Sequence, residues 1–321
     1  DDWVIWLEQR PNQGGRTTAL IRRWGNLDCQ PKELTPSPWN IRSRMHGYGG
    51  GALTLASAGD TIFLVWVDES NGCLWYQEWS ALKNCRDEGF TLDALNNPCC
   101  LSKLNDCHLG DGLIDLKQMI WLGVMEKEGR DYFVKFSLLE EFQEPKVIYR
   151  SEDFLGYPKL NPNGDRLAWV EWKKPYMPWD RSSLFAARLT DCNRLDSIKL
   201  LAGTSSRSSS SVSVFQPIWF SNNQILFSED QTGWWNVKLL DLDDSEDLMP
   251  QSKNILNLKA ESAMPQWVAG MSTISKSDDN IVALSCKQSI WTLNLVNKYG
   301  LRINIDLPFE DMSYLDSHNG R

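Results

Sequence analysis

One pattern constrains this chain more than any other: a short apolar run, a turn rich in Gly, Asn or Asp, and a second short apolar run, repeated along the sequence. Residues 61–67 and 73–79 form such a pair, as do 119–125 with 132–138, 167–172 with 183–189, 225–228 with 235–240, and 281–286 with 290–295. Runs of this length, separated by turn formers, read as antiparallel β-hairpins. Helical periodicity is scarce, so an α/β layout with helices between strands is not expected.

The hairpins sit inside a longer repeat. Tyr157-Pro158-Lys159-Leu160, Gln216-Pro217-Ile218-Trp219 and Met264-Pro265-Gln266-Trp267 each open a unit with Pro and an apolar residue. Pro158 and Pro217 are 59 positions apart, and Pro217 and Pro265 are 48 apart. Modules of this length, made of four short strands, are the signature of propeller blades. Six are countable, at residues 3–35, 47–80, 108–150, 157–201, 215–258 and 264–307. The expected fold is therefore an all-β propeller over residues 1–321, with the first strand of each blade innermost. Residues 80–107 are polar and hold Cys85, Cys99, Cys100 and Cys107, so they read as an insertion. The Ser-rich stretch 204–213 and the acidic stretch 241–252 read as surface loops.

Composition narrows the function classes. Hydrophobic residues make up 42% of the chain and charged ones 23%, enough to build a packed core. The net charge is -9 and no long basic cluster is present, so nucleic acid is not an expected partner. No apolar run reaches membrane-spanning length, so a membrane is not one either. The 16 Trp exceed the 11 Phe and 8 Tyr, and most such rings belong between packed sheets. The remaining Cys are Cys29, Cys73, Cys192 and Cys286, and the irregular spacing of all eight in a long chain argues for reduced thiols and a cytoplasmic setting. The opening Asp-Asp-Trp-Val-Ile-Trp has neither the basic nor the apolar region of a signal peptide, and no initiator Met.

Catalytic patterns are missing. There is no G-x-S-x-G; Gly203-Thr-Ser-Ser-Arg207 fails at its last position. The only histidines are His46, His108 and His318. Cys99, Cys100, Cys107 and His108 lack the paired C-x₂₋₄-C spacing of zinc sites, and no metal or cofactor is expected. Glu140-Glu141 and Asp243-Asp244 read as solvated surface, not as a facing carboxylate pair.

Three segments are denser than turns require: Arg42 through Gly51, Trp172 through Asp180, and Glu229 through Asn236. The Gly run 49–51 permits positive φ or close backbone approach. Pro175 and Pro178 stiffen a loop that presents Trp179 and Asp180. Two readings are equal at this level: turns held by packing, or the lining of one propeller mouth. Under the second, the candidate substrate- or interface-contacting residues are Arg42, His46, Tyr48, Trp172, Trp179, Asp180, Trp234 and Trp235, with no catalytic residue among them.

The same segments resemble the N-terminal propeller of prolyl-oligopeptidase-type serine peptidases, in the acylaminoacyl-peptidase or dipeptidyl-aminopeptidase-like branch. Trp6-Leu-Glu-Gln-Arg-Pro11 with Gly14-Gly-Arg16 resembles W-x-E-x-R-P…G-G-R. Arg42 with His46-Gly-Tyr-Gly-Gly-Gly51 resembles R-x-x-x-H-E-Y-G-G-G, with Gly47 where the family has Glu. Asp153-Phe154 with Pro158 through Gly164 resembles D-F-x-x-P-x-x-S-P-D-G, with Asn161 and Asn163 for Ser and Asp. Trp172 through Asp180 is similar to W-x-x-P-N-M-P-W-D, and Thr232-Gly-Trp-Trp-Asn236 to R-T-G-W-W-N.

The resemblance implies an α/β-hydrolase domain downstream of Arg321, supplying Ser, Asp and His, and a parent propeller of about seven blades. The propeller would then gate access of short peptides or acyl-peptides. The alternative is a stand-alone propeller that serves as a binding scaffold.

Overall fold

The computed structural model describes residues 3–25, 28–83, 90–190, 194–204, 211–242 and 251–317. Cys85, Cys192, His318, Asp243-Asp244 and most of the two expected surface loops lie outside these residues. The chain divides into two compact units, Asp1–Arg150 and Ser151–Arg321. Each unit is a succession of antiparallel sheets in chain order, three in the first and three in the second. These are propeller blades, spanning residues 3–33, 53–100, 108–150, 154–203, 214–256 and 274–305. Apart from one 3-10 turn, Pro11–Gln13, the described residues hold no helix.

Burial within a blade falls from the second and third strands to the fourth. The second strand of the third blade, Ile120–Lys127, is buried at six consecutive residues, whereas the fourth, Lys146–Arg150, has none buried. The fourth and fifth blades share one core in the second unit: Ala168, Val170, Leu184 and Ala186 meet Val214, Ile225, Phe227 and Leu240. Leu226, Val237 and Leu239 leave the opposite face of the fifth blade and pack with Ile274, Ile281, Ala283 and Val296 of the sixth. Alternate residues of one strand thus serve two neighbours. A strand covered on both faces is mostly apolar, which is why the inner hairpins read as near-continuous runs.

That gradient explains one departure from expectation. The polar stretch 80–107 is not an insertion: it contributes strands Phe90–Ala94 and Cys99–Cys100, both paired with Leu74–Lys83. Outer strands face solvent, so polar composition does not argue against them. The sixth blade differs too. Its first strand is Ile274–Ser277, and Pro265 lies in the irregular segment ahead of it.

Pro158 and Pro217 do mark first strands, Phe154–Leu160 and Val214–Ser221. Each sits in a bulge where three steps of the first strand oppose two of the second. A bulge is where a strand tolerates Pro, because no ladder N–H is required. The residue before each Pro has positive φ, 58° at Tyr157 and 50° at Gln216. The third blade has the same bulge at Asp111-Gly112 without any Pro, with φ 44° at Asp111. Gln216 then reaches the sixth blade, accepting from the backbone N of Thr273 at 2.7 Å and donating to the carbonyl of Ile274 at 2.7 Å.

Candidate functional site

In the first unit, residues 41–45 lead from a bridge at Ile41 into a turn ahead of the second blade and alternate in burial. Ile41, Ser43 and Met45 are buried, while Arg42 and Arg44 are exposed. That alternation puts the two guanidinium groups on one face. Ser43 donates to the carbonyl of Leu109 at 2.6 Å, which anchors the inner face. The chain then turns at His46 (φ 53°) and Gly47 (φ 79°).

Two of the following glycines are dictated by space. A Cβ on Gly49 would lie 2.3 Å from the carbonyl of Ser43, and one on Gly51 2.6 Å from the backbone N of Asp111. Asp111 N donates to the Gly51 carbonyl at 2.9 Å, which seats the Gly run on the bulge of the third blade. A Cβ on Gly47 would meet nothing within 4 Å.

His46 is held by the same blade. Its backbone N donates to Glu126 at 2.7 Å, and its Nε2 lies 2.8 Å from Asp131 Oδ2. His108, Glu126 and Asp131 are cross-strand neighbours in one row of the sheet. Asp131 is fully buried. Burial alone would lower the His46 pKa, but its bond to Asp131, followed by the charges of Asp131, Glu126 and Asp111, raises it above the usual value.

Arg42, Arg44, Gly47, Glu69, His108 and Glu126 line an open depression of about 500 Å³. A smaller adjoining hollow of about 250 Å³ shares Arg42, Arg44, Glu69 and His108 and extends to Cys107. Glu69 receives Asn40 Nδ2 at 2.6 Å and faces Arg42 and Arg44 at 3.3 and 3.5 Å. The two Arg side chains remain 63% and 65% exposed.

The second unit carries the other candidates. Trp172 stacks on Phe154 at 5.6 Å. Trp179 packs on Trp267 at 4.6 Å, and Trp267 is half exposed. Asp180 accepts from the backbone N of Met177 at 3.0 Å and so closes the turn that carries Trp179. Trp235 joins the small core of Tyr157 and Phe215, while Trp234 stays exposed. Glu229, behind that turn, pairs with Lys238 in the interior. Burial pushes the Asp230 carboxyl above its usual pKa; donation from Ser213 opposes this, and Glu229 and Glu261 reinforce it.

Of the predicted residues, the structure places Arg42 on the depression, holds His46 against Glu126 and Asp131 beside it, and leaves Tyr48 exposed on the same loop. It places Trp172, Trp179, Asp180, Trp234 and Trp235 in the second unit, where Trp172, Asp180 and Trp235 hold local structure. Arg44, Glu69 and Glu126 went unread from sequence. The signal for Arg44 was its i, i+2 spacing from Arg42. Glu69 and Glu126 lie far away in sequence and had no signal. Cys99 and Cys100 lie in one short strand, and His108 belongs to the depression. Among the described residues, no group of three or more His, Cys, Asp or Glu side chains is arranged to hold a metal.

No protein-family model matches the sequence, and no curated protein matches it. Solved structures do. A puromycin-hydrolysing peptidase of Mycobacterium tuberculosis matches with a TM-score of 0.83 at 22% identity, covering 99% of this chain and 47% of its own. A puromycin hydrolase matches with 0.84 at 21% identity, over the same shares. Prolyl oligopeptidase B from Galerina marginata matches with 0.54 at 11% identity, covering 94% of this chain and 44% of its own. The chain spans about half the length of these peptidases. At such identities the likeness shows the fold, an all-β propeller, and it agrees with the resemblance to the N-terminal propeller of prolyl-oligopeptidase-type peptidases.

Proposed function

We propose that this chain is the propeller part of a serine peptidase that hydrolyses short peptides or acyl-peptides, in the acylaminoacyl-peptidase or dipeptidyl-aminopeptidase-like branch. The observation that carries this reading is the TM-score of 0.83 across 99% of the chain against a puromycin-hydrolysing peptidase of about twice its length. The propeller's part is to gate the approach of peptides and to contribute contacts to them. Nucleophile, base and oxyanion donors belong to an α/β-hydrolase domain of the same parent chain. A cytoplasmic setting suits the free thiols of Cys73, Cys99, Cys100, Cys107 and Cys286.

The test is the natural reading frame. Expressed whole, it should contain G-x-S-x-G beyond Arg321 and hydrolyse peptidyl p-nitroanilides in a manner abolished by a serine-directed inhibitor. Residues 1–321 alone should show no turnover. A frame with no hydrolase domain and no hydrolysis would replace this reading with that of a binding scaffold.

A further inference from the structure

We propose that the depression beside the second blade is a carboxylate-binding subsite, in which Arg42 and Arg44 together grip a carboxylate of a bound peptide; this rests on the peptidase reading. Two guanidinium groups from alternate, exposed positions of one segment line the same hollow. Their shared partner is the single carboxylate of Glu69, which also accepts from Asn40. The 3.3 and 3.5 Å separations exceed the 2.7–2.9 Å typical of a strong charge-assisted bond. Both guanidinium groups thus hold Glu69 loosely, and both side chains stay largely exposed.

Two other carboxylates lie nearby, and of these Glu126 also lines the depression and keeps its charge. Glu126 accepts from the His46 backbone, and Asp131 is buried against the His46 ring. Gly47 leaves the rim without a side chain and with no atom within 4 Å of where a Cβ would stand. A planar carboxylate fits paired guanidinium forks in a way that a neutral amide does not. The ligand is then either the C-terminus of a short peptide or an acidic side chain within one.

Three probes separate these sources when titrated onto residues 1–321 by calorimetry: acetyl-Ala-Ala-Ala as free acid, its C-terminal amide, and acetyl-Ala-Glu-Ala amide. The free acid should bind, and the amide should bind about tenfold more weakly or not at all. Binding of the Glu probe but not the free acid would assign the subsite to a side chain and would also support the proposal. Arg42→Gln and Arg44→Gln should each weaken the bound acid about tenfold, and Arg42→Lys should restore only part. Glu69→Gln should tighten binding severalfold, because it removes a competing anion; a merely structural Glu69 would act in the opposite direction. Equal binding of acid and amide, no binding of any probe at millimolar concentration, or unchanged affinity in both Arg variants would overturn the proposal. These readouts need no catalytic domain, so their failure is distinct from failure of the peptidase reading.

Discussion

The loop around residues 41–51 and the loop around residues 172–180 look alike in sequence, each dense in aromatic, charged and turn-forming residues, yet their polar groups have different fates. In the second loop the Asp180 carboxylate closes its own turn, and Trp179 is covered by Trp267. In the first loop the work of holding the chain falls to Ser43, His46, Gly49 and Gly51, and Arg42 and Arg44 are left facing a hollow. Density of unusual residues marks both. Two largely exposed guanidinium groups sharing one carboxylate mark the first.

That contrast can be broken or sharpened by mutation. The largest effect is expected at the glycines of the first loop. Gly49→Ala places a methyl group 2.3 Å from a backbone carbonyl at φ +79° and should destabilise the protein by more than about 3 kcal/mol in chemical denaturation. Gly47→Ala has the same φ and open space, so it should cost only about 1 kcal/mol. Equal losses would mean that backbone conformation, and not close approach, selects the Gly run.

Next in size is Asp131→Ala, which strips a buried partner from His46 and should cost about 3 kcal/mol at pH 6. The pH dependence has a definite sign. Since folding raises the His46 pKa, its contribution is full below the unfolded value of about 6.5 and is lost as pH rises through the folded value. Stability of the wild type relative to Asp131→Asn should therefore shrink as pH climbs above that point. A difference that is flat from pH 5 to 9 would show the pair to be a neutral hydrogen bond.

Smaller effects are expected in the second loop. Asp180→Ala should cost about 1 kcal/mol through loss of the turn hydrogen bond. Trp267→Ala should remove about 1 kcal/mol of ring–ring contact beyond its burial. Smallest of all, Arg42→Gln should change stability by less than about 0.5 kcal/mol, because its ion pair is exposed. A large loss there would place Arg42 with the fold and erase the contrast between the loops.

Much of the architecture was legible in the chain itself. The inner hairpins announce themselves because strands buried on both faces are predominantly apolar, as in residues 167–170 and 225–227. Pro158 and Pro217 flag the bulged first strands because few positions in a strand accept Pro. The outer strand Phe90–Ala94 was misread, since solvent imposes no comparable pattern. The bulge at Asp111-Gly112 was silent, because backbone geometry can recur without the residue that advertises it elsewhere.

For the site, sequence alone determined that Arg42 and His46 stand in an unusual segment. Only the tertiary structure decided their roles. Glu126 and Asp131 come from the hairpin of the third blade, some 80 positions away from His46, and they convert that histidine into an anchor. Glu69 arrives from the second blade and is one carboxylate for two guanidinium groups. Local patterning fixes which residues turn inward. Which polar groups then find partners depends on strands distant in sequence, and that balance exists only once the blades have packed.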